Sequence, residues 1–115
     1  MGVLSSFLGG SHIQNIDADL FEEKISNDVN AVIIDVRTHE EYRSARIPNS
    51  VLIDIYSNDF FDKIKKLDQS KSYYIYCHSG GRSYSAAGEL LKMGFKNVYN
   101  LADGIISWNG KIERG

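Results

Sequence analysis

The chain has 115 residues, 43% of them hydrophobic and 24% charged, with a formal net charge of −2. That describes one soluble globular domain, long enough for a core of its own and too short for two. The charge balance lacks the basic stripe that nucleic acid requires, and no run approaches the ~20 apolar residues of a membrane span.

Residues 1–12 read as a flexible N-terminal tail and 13–115 as the domain. Met1-Gly2-Val3-Leu4-Ser5-Ser6 satisfies the formal myristoylation pattern. So short a pattern matches often by chance, and Met1 to Gly10 lacks the basic residues of a signal peptide. His12 to Ile16 alternates and predicts a first short strand. Asp17 is placed to cap a helix with the apolar stripe Leu20, Phe21 and Ile25, and Asn27-Asp28 ends it.

Ala31-Val32-Ile33-Ile34-Asp35-Val36 is nearly all apolar. It predicts a strand buried on both faces of a mostly parallel sheet. Asp35 is then odd, because a buried carboxylate is costly without partners. Two readings stand: Asp35 accepts hydrogen bonds from the loop around Cys77 or from the strand ends nearby, or it ties the turn that follows. Arg37 and Glu41, four apart across a turn into a helix, predict an ion pair. Thr38 to Arg43 is a short helix with Thr38 as its cap, Ile47 to Ser50 a turn, and Val51 to Ile55 the third strand. Asp59 to Leu67 predicts a helix that turns Phe60, Phe61, Ile64 and Leu67 inward.

Ser72-Tyr73-Tyr74-Ile75-Tyr76 is the fourth strand. The next helix carries Ala86, Ala87, Leu90, Leu91 and Met93 at helical spacing. Between them lies Cys77-His78-Ser79-Gly80-Gly81-Arg82-Ser83, so the only cysteine sits where a strand ends and a helix begins. In an open α/β sheet that is where ligands bind. A helix N-terminus offers unpaired N–H groups and the positive end of the dipole, which favour a thiolate or an oxyanion. Gly80 and Gly81 let successive N–H groups converge into an anion-binding nest. Arg82 adds a fixed charge, and the hydroxyls of Ser79 and Ser83 add donors. The prediction is a thiol of depressed pKa inside a ring of donors. The plainer alternative is a buried structural cysteine. One cysteine excludes an intramolecular disulfide, and a thiol that must stay reduced fits the cytoplasm. His12, His39 and His78 are scattered, so neither a metal site nor a cofactor is expected.

Beyond this helix, Gly94 predicts its C′ residue and Phe95 the hydrophobic contact that follows. Gly88, in the helix interior, predicts close packing on the sheet. Asn97 to Leu101 is the last strand and Gly104 to Trp108 a helical turn. Alternating strands and helices argue for an α/β fold with a largely parallel sheet.

The cysteine loop resembles the active-site loop of single-domain rhodaneses, the thiosulfate and persulfide sulfurtransferases. Ile34-Asp35-Val36-Arg37, Glu41-Tyr42, Ile47-Pro48, Leu101-Ala102-Asp103-Gly104 and Trp108 resemble further motifs of that family, so the likeness runs from about residue 13 to 115. The chain departs from the family at Ala45-Arg46-Ile47-Pro48-Asn49-Ser50, where the family has Gly-His-Ile-Pro-Gly-Ala, and at Asp103, which replaces a glycine. These changes are expected to alter only the wall beside the loop, and with it substrate choice.

The resemblance implies a three-layer domain with a central, mostly parallel five-stranded sheet flanked by helices. It implies a sulfurtransferase in which Cys77 carries sulfur from thiosulfate or another persulfide donor to a thiophilic acceptor, cyanide in the test tube. His78, Ser79, Gly80, Gly81, Arg82 and Ser83 would contact substrate, with Arg82 orienting an anionic donor and also stiffening the loop by pairing with a carboxylate. His78 reads as a variable residue facing solvent, and Asp35 and Arg37 stand behind the loop. Partners would be a small-molecule donor and acceptor or a protein donor or acceptor, with no nucleic acid and no membrane. Two alternatives belong beside this reading. One is a non-enzymatic sulfur carrier or regulatory module. The other is a cysteine-dependent phosphatase or arsenate reductase, although phosphatase loops place five residues between cysteine and arginine and here four intervene.

Overall fold

The computed structural model of the chain describes residues 12–115. The tail expected over residues 1–12, His12 excepted, and the myristoylation pattern lie outside the described residues. Five strands form one sheet: β1 (Gln14–Ile16), β2 (Ala31–Asp35), β3 (Ser50–Leu52), β4 (Ser72–Tyr76) and β5 (Val98–Leu101). Their order is β1-β5-β4-β2-β3, and every pairing is parallel. The helices α1 (Ala18–Asn27), α2 (His39–Ser44), α3 (Phe60–Lys65) and α4 (Gly81–Lys92) supply the crossovers, and a 3-10 turn covers Ile105–Ser107.

Strand β4 lies at the centre, and its alternation builds two cores. Tyr73, Ile75 and, one residue past the strand, Cys77 face one side with Ile34, Val36, Phe60, Ile64, Ala86, Ala87, Leu90 and Val98. Tyr74 and Tyr76 face the other with Ala18, Phe21, Ile33, Ile47 and Leu101. This is the three-layer α/β architecture, with α3 and α4 on one face and α1 on the other. Each fully buried Ile or Leu contributes about 1.5–3 kcal/mol. The tyrosines fit a central strand because their hydroxyls have partners: Tyr73 donates to the Asp68 carbonyl and Tyr74 to the Asp28 carboxylate, each at 2.8 Å.

Local signals set the element ends. Asp17 caps α1 by accepting from the Leu20 amide at 2.9 Å. Thr38 and Glu41 form a capping box on α2. Helix α4 ends in a Schellman motif: Gly94, at φ +98°, donates to Leu91 O at 3.0 Å and Phe95 to Leu90 O at 3.1 Å.

Three expectations about packing fail. Leu20 is exposed, and the buried positions of α1 are Ala18 and Phe21. Phe61 is exposed, with its ring edge-on to the buried Phe60. Helical spacing allowed two adjacent faces in each helix, and only one meets the sheet. Gly88 does not enable close packing, since a Cβ there would meet nothing within 4 Å.

Candidate active site

The site forms where β4 runs out. Cys77 leaves the strand buried, 1% exposed, and the chain folds back over its sulfur. The Gly80 amide donates to Cys77 Sγ at 3.1 Å, the Ser83 amide at 3.3 Å and the Ser83 hydroxyl at 3.3 Å. This return needs Gly80, whose φ is +104°. A Cβ on Gly80 would lie 2.1 Å from the Ala102 carbonyl oxygen, so backbone presses on backbone there. Gly81 is different: a Cβ would meet nothing within 4 Å.

The segment after β5 clamps the loop from behind. Ile105 N–H donates to Cys77 O at 2.9 Å and Ile106 N–H to His78 O at 3.3 Å. Gly104, at φ +73°, lies so close that a Cβ would meet His78 O at 2.0 Å. Asp103, which replaces a glycine, is exposed.

Glu41 reaches the loop from α2. Its carboxylate accepts from both terminal nitrogens of Arg82, at 2.8 and 2.9 Å. Bidentate hydrogen bonding to Arg82, helped by the Thr38 cap, lowers the Glu41 pKa to about 2 against the penalty of burial. The expected Arg37–Glu41 pair is therefore absent. Arg37 is held by Asp35, whose carboxylate accepts from Arg37 Nη2 at 2.7 Å, from Nε at 2.9 Å and from the Arg37 amide at 2.9 Å. Of the two readings of Asp35, the tie to the following turn is the one observed. The Arg37 guanidinium lies 5.4 Å from the centre of the Tyr76 ring, which faces the opposite side of the sheet from Cys77.

Burial raises the pKa of Cys77, but four donors outweigh it. The Ser83 hydroxyl leads, followed by the amides of Ser83, Gly80 and Ser79, and the net shift is downward from the ordinary 9.0. The site is therefore a buried sulfur prepared to carry negative charge. Such a group can attack an electrophilic sulfur without a separate general base.

A family model described as the rhodanese-like domain matches residues 17–111. The chain belongs to the rhodanese-like domain family. A Bacillus subtilis protein named for a sulfur-carrier role, YrkF, is 38% identical over 120 residues, covering 96% of this chain. The chain spans 64% of that relative's length. A second Bacillus subtilis protein, YtwF, named for a sulfurtransferase role, is 36% identical over 88% of this chain and 95% of its own. Among solved structures, a rhodanese-related protein from Thermoplasma volcanium superposes with a TM-score of 0.75, at 29% identity over 87% of this chain and 97% of that one. A rhodanese-like domain protein from Staphylococcus aureus gives 0.74 at 28% identity, over 89% and 98%.

Within this rhodanese-like domain the seven predicted loop residues come together, in differing relations to the sulfur. Gly80 and Ser83 bond Sγ directly, and Ser79 turns its amide toward it while its side chain stays exposed. His78 is exposed. Arg82 is committed to Glu41. The segment Ala45–Ser50 folds as a turn held from several sides. Its hydrogen bonds run to Arg37, Tyr42, Tyr76, Glu113 and Gly115. Asn49 takes φ +69° where the family has glycine, a conformation asparagine tolerates.

Two residues bearing on the loop carry no site role in the sequence. Glu41, expected opposite Arg37, pairs with Arg82 instead. Asn100 sits 1% exposed in β5, beneath Gly80. Its signal was available, since alternation puts Asn100 on the same face as Val98, a core position where a polar side chain needs a reason. Among the described residues no helix is long and apolar enough to cross a membrane.

Proposed function

We propose that this domain is a sulfurtransferase that carries sulfane sulfur as a persulfide on Cys77. The observation that carries the reading is the Cys77 sulfur held by Gly80 and Ser83 amides and the Ser83 hydroxyl. These donors are fixed before reaction, so they stabilise an anion without reorganising.

The thiolate of Cys77 attacks the outer sulfur of a donor such as thiosulfate. A Cys77–S bond forms, the bond between the two donor sulfurs breaks, and sulfite leaves with the electron pair. The persulfide keeps one negative charge. Cyanide, as a thiophilic acceptor, then attacks the terminal sulfur, leaves as thiocyanate and returns Cys77 as thiolate. His78 and Ser79 stand exposed at the loop. In this reading they and the exposed Gly81 meet donor or acceptor. Arg82 braces the loop through Glu41 rather than acting as a free anion receptor. A single buried thiol suits a reducing compartment such as the cytoplasm.

A second reading has one specific support: the relative named for a sulfur-carrier role covers 96% of this chain. In that version the same persulfide is loaded from, and passed to, a protein partner. The test is thiocyanate formation from thiosulfate and cyanide by wild type and Cys77→Ser. Turnover by wild type alone supports the enzyme. Turnover by Cys77→Ser equal to wild type would remove Cys77 from the chemistry. Hydrolysis of an aryl phosphate that depends on Cys77 would instead favour a phosphatase.

A further inference from the structure

We propose that Asn100 is a positioning residue for the cysteine loop, tying the Gly80 carbonyl to the sheet so that the Gly80 amide points at the Cys77 sulfur. The proposal rests on the reading of Cys77 as the sulfur-bearing nucleophile.

Gly80 has no side chain to anchor it, and its left-handed backbone is easily lost. What holds it is its carbonyl. That oxygen accepts from Tyr84 N–H at 3.1 Å and from Asn100 Nδ2 at 3.3 Å, while the Ser83 hydroxyl, whose one hydrogen is given to Cys77 Sγ, lies 3.2 Å away. Ser83 and Tyr84 belong to the helix that the loop starts, so they move with it. Asn100 comes from β5, paired on both sides with β1 and β4, and is the tie to a fixed frame. Fixing the Gly80 carbonyl fixes the peptide plane beyond Gly80. With the close approach of Ala102 on its other side, it also fixes the direction of the Gly80 N–H.

The carboxamide of Asn100 is itself set. The corner that faces Gly80 O faces an acceptor, so it is the nitrogen. Its other hydrogen goes to Asn15 Oδ1 at 2.9 Å, on β1. Both hydrogens are thus committed. Asn100 Oδ1, by contrast, is buried with no partner among the described residues. An orphaned buried oxygen is a standing cost to the fold. A side chain retained for packing would not carry it, because an apolar residue of the same shape would remove it. The cost is consistent with a residue kept for what its nitrogen does to Gly80.

The test uses Cys77 as its own reporter, since it is the only cysteine. Alkylation by iodoacetamide is followed across pH for wild type, Asn100→Leu and Asn100→Ser, with thermal unfolding of each. The leucine conserves volume; the serine serves if the leucine does not fold. The expected result is folded variants whose alkylation midpoint moves up and whose rate at pH 7 falls by about threefold, as half a unit of thiol titration produces. Asn15→Ala, on the exposed side of the same relay, gives a smaller change in the same direction. A folded Asn100 variant with the wild-type profile overturns the proposal. Sulfur loading from thiosulfate is weighed on the same samples. If wild type takes up none, thiosulfate as the donor is what has failed, and the alkylation profiles still decide Asn100.

Discussion

Glu41 and Arg82 stand 41 positions apart in sequence and meet through two hydrogen bonds of 2.8 and 2.9 Å. One belongs to the capping box that starts α2, the other to the first turn of α4. The pair ties the cysteine loop to a neighbouring helix and occupies both terminal nitrogens of the loop's only arginine.

Removing the pair should slow sulfur uptake more than it unfolds the protein. A partly exposed ion pair is worth about 0.2–1 kcal/mol, which corresponds to no more than about 5 °C in Tm. Arg82→Ala and Glu41→Gln should each slow loading of Cys77, and the double variant should be no slower than Arg82→Ala alone. Losses that simply add would show that the two residues act separately.

The same pair sets an acid limit. The Glu41 pKa is lowered to about 2 from an ordinary 4.5. A depressed carboxyl stabilises the fold fully above its ordinary value and ceases to as pH falls through its folded value. The unfolding free energy contributed by Glu41 should therefore be flat from pH 7 to about 5 and decline between about 4.5 and 2. Comparing the pH dependence of unfolding in wild type and Glu41→Gln measures it, and parallel curves through that window would contradict the assignment.

Ser83 supplies both an amide and a hydroxyl to the sulfur. Its hydroxyl is the strongest of the groups that pull the Cys77 pKa below 9.0. Ser83→Ala should move the alkylation midpoint up and slow alkylation at pH 7 about tenfold, since a hydrogen bond to a charged group is worth about 1.5 kcal/mol. An unmoved midpoint would mean the amides alone hold the thiolate.

The two loop glycines should part company. At Gly80 a Cβ would sit 2.1 Å from Ala102 O at φ +104°. Gly80→Ala should lose several kcal/mol, with about 1–3 from the backbone conformation alone. Gly81→Ala begins a helix in open space and should be neutral or gain about 0.5–1 kcal/mol. Denaturant midpoints of the two variants give the comparison, and equal losses would contradict it.

The altered turn should matter for stability and not for chemistry. Ser50 Oγ donates to Ile47 O at 2.7 Å and lies 3.1 Å from the Tyr76 hydroxyl, which also accepts from the Ile47 amide. Ser50→Ala leaves the buried Tyr76 hydroxyl without that partner, at about 1–3 kcal/mol, while sulfur loading should stay at the wild-type rate. A loading defect in a folded Ser50→Ala protein would contradict this and give the turn a part in the chemistry.

Much of this arrangement was legible in the residues. The apolar run at Ala31–Val36 and the strand-to-helix change around Cys77 specify parallel strands and a loop at their carboxyl ends. Asp17, Thr38 and Gly94 mark helix ends by local chemistry. What depends on long-range contact was not legible. The four-residue spacing of Arg37 and Glu41 suggested a pair, but Asp35, two residues before Arg37, wraps the guanidinium first, and Glu41 is left for an arginine on another helix. Leu20 and Phe61 sit beside buried neighbours at spacings that allow either face inward. Sheet order, which sets Asn100 under Gly80, is written in no local pattern.

The most direct test of the central claim is the intact mass of wild type and Cys77→Ser after incubation with thiosulfate. A gain of one sulfur atom on wild type alone, reversed by cyanide, is the predicted result. No gain on wild type, or an equal gain on Cys77→Ser, would contradict a persulfide on Cys77 formed from thiosulfate.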